Sequence, residues 1–281
     1  MKTFTIENQT SNITIHPPAS QAAAKTMAAE PQVKTNQVLV TVVLDRSGSM
    51  SSNRGGTISG YNEYIQGLRL DGDSDYFVTL LQFDAPMAIP ELTVNYQDCA
   101  LADVPELTPE HYVPRGNTPL YDAIGECIRR TDPKGRAAMV LVITDGEENA
   151  SSEFTRESVK TLLKEKESEG WTFAFLGADI DSYAVGGSVG VSPSNTANYV
   201  KGNEEALFSN LAKSTIQRAA GARSVGPNAA AETDFIDDSQ RAQMVEDQQG
   251  TGGRPAAPPL LRRAGPAARH SQPRHWTVKN S

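Results

Sequence analysis

Cysteine and histidine are scarce in this chain, and their scarcity excludes several kinds of site. The sequence holds two cysteines, Cys99 and Cys127, and four histidines among 281 residues. A zinc site of Cys and His, or a disulfide-stapled scaffold, needs more of them at set spacings. The histidines lie in predicted loops or tails, so no zinc set or Ser-His pair is visible. Cys127, on the apolar face of a predicted helix, is expected to be a buried free thiol.

Long apolar runs and nucleotide or protease motifs are also missing. No stretch is long enough to cross a bilayer, and residues 1–6 lack the apolar core of a signal peptide. We therefore expect a soluble protein of a reducing compartment, the cytoplasm, with no membrane partner. The sequence contains no G-x-x-x-x-G-K-[ST], G-x-S-x-G or H-E-x-x-H motif, which argues against the enzyme classes that they mark.

Negative charge dominates most of the chain. There are 26 Lys and Arg against 34 Asp and Glu, a formal net charge of -8 at pH 7. From Gly250 onward all the charged side chains are basic, so the part before Gly250 is more acidic than the total suggests. An acidic body argues against nucleic acid as its main ligand. The tail mixes Arg with Pro and Ala and offers only Trp276 for stacking, so we expect it to be solvated.

Apolar runs alternate with amphipathic segments between residues 37 and 224. Val38–Leu44 and Ala137–Thr144 are near-continuous apolar runs, typical of strands buried on both faces. Further strands are predicted at 76–83, 87–94, 171–178 and 196–200, and helices near 58–68, 118–128, 155–169 and 204–222. The alternation predicts an α/β fold, with a doubly wound, mainly parallel sheet, one antiparallel edge strand and helices on both faces. The glycine-rich run 186–190 is expected to be a loop.

The chain divides by composition into three parts. Residues 1–36 form a predicted arm, with a small hairpin and an Ala-rich segment but too few large apolar residues for a core. Residues 37–224 form the predicted domain. Residues 225–281, which include a brief acidic and apolar segment at 233–238, are expected to be a flexible, disordered tail.

Three polar segments contain the candidate ligands for a metal ion. They are Asp45-Arg46-Ser47-Gly48-Ser49, Gly116-Asn117-Thr118-Pro119-Leu120 and Asp145-Gly146-Glu147. The first and third directly follow the two fully apolar strands. Because the carboxyl ends of parallel strands meet at one edge of a sheet, their two carboxylates and the three hydroxyls should lie together. Such oxygen atoms suit a hard divalent cation. Gly48 and Gly116 would allow close backbone approach there.

This arrangement resembles the metal-ion-dependent adhesion site of the von Willebrand factor A (vWA) family, whose fold is Rossmann-like. The resemblance covers roughly Val38 to Ala222. It implies a metal site formed by Asp45, Ser47, Ser49, Thr118 and Asp145, with Mg²⁺ as the cation and Mn²⁺ or Ca²⁺ as alternatives. In the family pattern the hydroxyls bind the cation directly, whereas the aspartates mainly hold its waters.

The same resemblance implies a function in protein binding. A free coordination position on the cation would accept an Asp or Glu side chain of a partner protein. We expect an intracellular vWA protein of bacterial or phage type, and the resemblance implies a partner such as an AAA+ ATPase or a component of a multiprotein assembly. The leading interpretation is therefore a Mg²⁺-dependent binding module without enzymatic activity.

Two other interpretations stay open. The cation could instead activate water for phosphoester hydrolysis, with Glu147 as the candidate base. Each hydroxyl taken alone could also be an ordinary cap, and Thr118 is expected to cap the helix that Pro119 begins. Glu147 and Glu148 are expected to form a solvated acidic turn.

Overall fold

A computed structural model describes residues 36–246 and 277–280, and the bounds that follow refer to them. The strands are β1 (Gln37–Asp45), β2 (Asp75–Asp84), β3 (Glu91–Ala100), β4 (Ala137–Thr144), β5 (Thr172–Ala178), β6 (Thr196–Tyr199) and β7 (Thr277–Asn280). The helices are α1 (Arg54–Arg69), α2 (Leu120–Arg130), α3 (Arg156–Ser168), α4 (Ser182–Val189), α5 (Glu204–Val225), α6 (Pro227–Ala231) and α7 (Asp238–Val245).

The strands form one mixed sheet in the order β6-β5-β4-β1-β2-β3-β7. Strands β1, β2, β4, β5 and β6 are mutually parallel, whereas β3 runs antiparallel to β2. This confirms the predicted α/β class and its antiparallel strand. The short strand β7 pairs with β3 in parallel on the outer side, so the sheet continues one strand further than expected.

Helices cover both faces of the sheet. Along β1, Val40 and Val42 point to the face that α1 and α5 cover, whereas Val43 points to the face of α2 and α3. This alternation follows from the two-residue period of a strand and explains why residues 38–44 of β1 are apolar except for Thr41. None of the helices in residues 36–246 combines the length and apolarity that a bilayer-crossing segment requires.

The prediction of a disordered tail from residue 225 is wrong for residues 225–246. Helices α6 and α7 pack there, and Phe235, Ile236 and Met244 are buried in the core on the α5 side. Arg218 of α5 lies over the Phe235 ring, 5.6 Å from its centroid. Few large apolar residues suffice in this segment, because Phe235, Ile236 and Met244 join the core that α5 already forms with the sheet. The predicted arm, except for Asn36, and the tail from 247 to 276 with Ser281 lie outside the described residues.

The glycine-rich run at 186–190 is mostly helical, so the prediction of a loop is wrong. Residues 186–189 belong to α4, and Gly190 ends the helix with a left-handed φ of 102°. A Cβ at Gly186 would lie 3.1 Å from the Phe175 ring of β5. Gly186 thus allows α4 to pack closely on the sheet, and Gly190 supplies the left-handed residue that ends the helix.

Candidate metal centre

The carboxyl ends of the parallel strands carry a row of charged residues. Asp45 and Asp84 are the last residues of β1 and β2, and Asp145 and Asp179 directly follow β4 and β5. Lys201 comes two residues after β6. The strand register aligns these ends at one edge of the sheet. Asp45 and Asp145 are the two residues of this row that were predicted for the site, whereas Asp84, Asp179 and Lys201 carry no local sequence signal.

Asp45 is a fully buried carboxylate at the end of the central strand. One carboxylate oxygen accepts the Ser47 backbone N–H at 2.6 Å, and the other accepts the Thr144 hydroxyl at 2.5 Å. Desolvation by burial raises the pKa of Asp45 to about 7, against the lowering effect of these hydrogen bonds. Within the described residues no basic side chain pairs with Asp45. The negative charge of this carboxylate is therefore not compensated by a nearby positive charge.

The predicted serines and Asp145 are joined by hydrogen bonds next to Asp45. The Ser47 and Ser49 hydroxyl oxygens lie 3.0 Å apart, and Ser49 donates to Asp145 Oδ1 at 2.5 Å. The second Asp145 oxygen, Oδ2, lies 2.6 Å from Lys201 Nζ. Asp145 thus faces the hydroxyls with one oxygen and a lysine with the other.

Thr118 joins this group from a second loop. It is buried, and its backbone N–H and C=O bond to the side chain and the N–H of Asn149, at 2.8 and 3.1 Å. Its hydroxyl oxygen adjoins the loop after β4, because a Cβ at Gly146 would lie 2.6 Å from it. The structure therefore brings together all five residues predicted for the site.

The helix cap expected from Thr118 is formed by a different residue. Helix α2 begins at Leu120, with Pro119 before it and no side-chain cap at that position. The Glu148 carboxylate accepts the Tyr121 N–H at 3.0 Å and also N–H groups of its own loop. Glu148 therefore caps α2, where a carboxylate is favoured, and the prediction of a solvated Glu148 is wrong. Its partner is distant in sequence, so no local pattern revealed it.

Two arginines and Asp84 hold the loops in place. Arg46, between Asp45 and Ser47, bonds to Asp84 at 3.0 and 3.2 Å, and Arg115 bonds to the same carboxylate at 2.6 Å. The loops also touch directly, since Gly48 N–H donates to Gly116 O at 3.0 Å. Gly116 has a φ of 67°, and a Cβ there would lie 2.5 Å from the Ala85 backbone. Close approach at both glycines, as expected, is part of this site.

The donors gathered here fit a hard divalent cation. No group of three or more His, Cys, Asp and Glu side chains in the described ranges is arranged to hold a metal. The candidate site at this edge differs from such a group because three of its five side chains are hydroxyls, and only two are carboxylates. Such oxygens suit Mg²⁺, Mn²⁺ or Ca²⁺. A cation here would also supply the positive charge that Asp45 lacks.

The burial of Asp45 predicts a pH-dependent stability difference in Asp45→Asn. The unfolded chain releases this proton near pH 3.8, whereas the native protein keeps it until about pH 7, so native stability is lost across that interval. Asn keeps the hydrogen bonds, because Thr144 can accept from its amide and donate to Gly146 O, 3.2 Å away. In chelator, we expect the free energy of unfolding of the variant to match that of wild type near pH 4. Above about pH 7 it should exceed the wild-type value by a few kcal/mol, since each unit of pKa shift corresponds to about 1.4 kcal/mol.

Urea unfolding of both proteins across this pH range measures the difference. A gap that stays constant with pH would contradict the assignment of a raised pKa to Asp45.

Comparison with known proteins finds no sequence family and distant structural similarity. No protein-family model and no curated protein matches the chain. The manganese-loaded TRAP protein of Plasmodium vivax is 18% identical with a TM-score of 0.44, over 62% of this chain and 74% of that one. A von Willebrand factor type A structure from Catenulispora acidiphila is 12% identical with a TM-score of 0.43, over 65% and 43%.

Proximal thread matrix protein 1 from the mussel byssus is a further structural neighbour. It is 14% identical with a TM-score of 0.47, over 66% of this chain and 47% of that one. The chain thus spans less than half of the mussel and Catenulispora structures. At these identities and TM-scores, the similarity carries no argument about function.

Proposed function

We propose that this chain is a Mg²⁺-dependent protein-binding module of the vWA type. In this proposal Ser47, Ser49 and Thr118 bind the cation through their hydroxyls, and Asp45 and Asp145 hold its waters. The observation that carries the proposal is Asp45, a buried carboxylate without a basic partner in the described residues, beside two serine hydroxyls that bond to each other.

Neutral ligands determine what such a cation can do. Hydroxyl oxygens leave more positive charge on the cation than carboxylates would, and the aspartates orient the site from outside. When bound, the cation would offer a coordination position to an Asp or Glu of the partner. The chain's own contribution is rigidity, because Arg46, Arg115 and Asp84 hold the two hydroxyl-bearing loops before any ligand arrives.

An exposed apolar side chain at the same edge of the sheet supports the proposal that the partner is a protein. Met87 is 89% exposed in the turn between β2 and β3, where it adopts a left-handed φ of 52°. Ala85, two residues earlier, bonds to Asn117 beside Thr118 at 2.9 and 3.1 Å. An apolar side chain held beside a cation site suits a peptide that carries an apolar residue next to its acidic one.

Hydrolysis of a phosphoester is the weaker alternative. That reaction needs a base placed near the cation. Glu147 is exposed, and both Glu148 oxygens accept hydrogen bonds in capping α2 and its own loop. No hydrogen bond or ion pair in the described residues orients the Glu147 carboxylate, and the oxygens of Glu148 are already engaged. We therefore propose a binding module and not an enzyme.

We also propose a cytoplasmic location and a partner within an assembly, such as an AAA+ ATPase. The location is supported by the free thiols of Cys99 and Cys127, which suit a reducing compartment. Cys127 is buried, and its burial raises the pKa of its thiol to about 12, so it is an unreactive thiol of the core. The class of partner rests on the vWA resemblance of the three polar segments.

Ser49→Ala tests the cation directly. Ser49 is exposed, so the substitution should leave the fold intact while removing a cation ligand. In calorimetric titration with Mg²⁺ or Mn²⁺ alone, we expect affinity to fall about tenfold or more. Ser52→Ala is the matched control, an exposed serine of the same turn that bonds to Ser49 O at 3.3 Å. Equal affinity in Ser49→Ala and wild type would contradict the role of Ser49.

A peptide library tests the preference for an acidic partner. Displayed random peptides selected in Mg²⁺ should be enriched in Asp or Glu beside an apolar residue, and chelator should release them. Met87→Ala should weaken the selected peptides by about tenfold, equivalent to about 1.4 kcal/mol. Leu70→Ala is the control, because Leu70 is 87% exposed but follows α1 at the opposite edge of the sheet. Enrichment that persists in chelator would contradict the proposal.

A further inference from the structure

Lys201 places a positive charge inside the candidate metal centre. Its Nζ lies 2.6 Å from Asp145 Oδ2 and 2.9 Å from Asp179 Oδ2. The Asp145 side chain is fully buried, whereas that of Asp179 is largely exposed. A single lysine is thus shared by one carboxylate of the hydroxyl cluster and one at its rim.

The loop that carries Lys201 is fixed by α7. The Val200 N–H donates to Met244 O of α7 at 3.1 Å. The Asn203 side chain donates to two carbonyl oxygens at the end of the same helix, at 2.9 and 2.8 Å. The turn between them contains Gly202, with a left-handed φ of 93°. Lys201 is therefore held from both sides and is not a freely moving surface lysine.

Asp145 connects Lys201 to the proposed cation. Ser49 donates to Oδ1 of Asp145, and Lys201 lies against Oδ2 of the same carboxylate. A divalent cation at the hydroxyls would therefore share this carboxylate with an ammonium group. Like charges this close repel strongly in a partly buried site. The lysine should thus oppose cation binding as well as stabilise the cation-free protein.

We propose that Lys201 is a built-in counter-cation that limits the affinity of the site for divalent metal and keeps the bound metal receptive to a partner's carboxylate. This inference rests on the proposed function. With a divalent cation bound, Lys201 offsets part of the negative charge that Asp45, Asp145 and Asp179 would otherwise leave at the site. Without the lysine, the same site would be negative and would repel an incoming acidic side chain.

Lys201→Met tests the counter-cation by titration with Mg²⁺ or Mn²⁺ alone. Removing the ammonium leaves Asp145 and Asp179 uncompensated, so we expect divalent affinity to rise about tenfold or more. Lys201→Arg keeps the charge and should bind within a few-fold of wild type. Lys134→Met is the control, since Lys134 pairs with Asp98 before β4, at the opposite edge of the sheet.

A second variant acts in the opposite direction. Asp179→Asn removes a negative charge and leaves Lys201 to Asp145 alone, so it should weaken cation binding several-fold. Asp179 is exposed and has a φ of 57°, a conformation that Asn tolerates well, so this variant should fold even if Lys201→Met does not. Thermal unfolding in chelator verifies the fold of each protein.

The outcomes separate this inference from the proposed function. Tighter binding by Lys201→Met, with weaker binding by Asp179→Asn, supports the counter-cation. It is overturned if wild type binds cation and Lys201→Met binds it equally or more weakly. Absence of binding by wild type and by Lys201→Met alike would instead overturn the proposed metal site. Binding by Lys201→Met alone would mean that wild type holds no cation, which would overturn both the proposed function and the idea that Lys201 keeps a bound metal receptive.

Discussion

Asp45 ends the central strand of the sheet, where burial removes it from water and no basic side chain in the described part of the chain compensates its charge. The neighbouring carboxylates, by contrast, are paired with basic side chains. Asp84 is paired with two arginines, and Asp145 with Lys201. A buried charge is costly unless it is paired or protonated. The uncompensated position therefore marks where an external cation would stabilise the fold most.

The surrounding loops are held by contacts that persist without any cation. Asp84 joins the loop after β1 to the loop before α2, and Asn149 joins that second loop to the one after β4. Glu148 then caps α2 and fixes the same segment. Because these bonds connect three separate loops, the hydroxyls are positioned before a ligand arrives. A preformed site loses little conformational entropy on binding.

The fold and the five site residues follow patterns that are local in sequence. The apolar runs of β1 and β4 predict buried parallel strands, and polar residues directly after such strands predict a site at their carboxyl ends. The other features of the site depend on contacts between residues that are distant in sequence, which no local pattern reveals. Glu148 bonds to Tyr121, and Lys201 reaches Asp145, across many residues of chain. The segment around Phe235 has too few apolar residues to form a core of its own. It is ordered because these residues pack into a core to which α5 contributes, which a local pattern does not reveal.

Anomalous diffraction from crystals grown with Mn²⁺ would test the cation site at Asp45 without assuming its ligands, because it locates the metal itself. We expect a peak at the hydroxyls of Ser47, Ser49 and Thr118, at coordination distances of about 2.0–2.3 Å. Lys201 should lie on the far side of Asp145 from that peak. A manganese peak elsewhere on the protein, with this edge of the sheet empty, would contradict the proposed cation site.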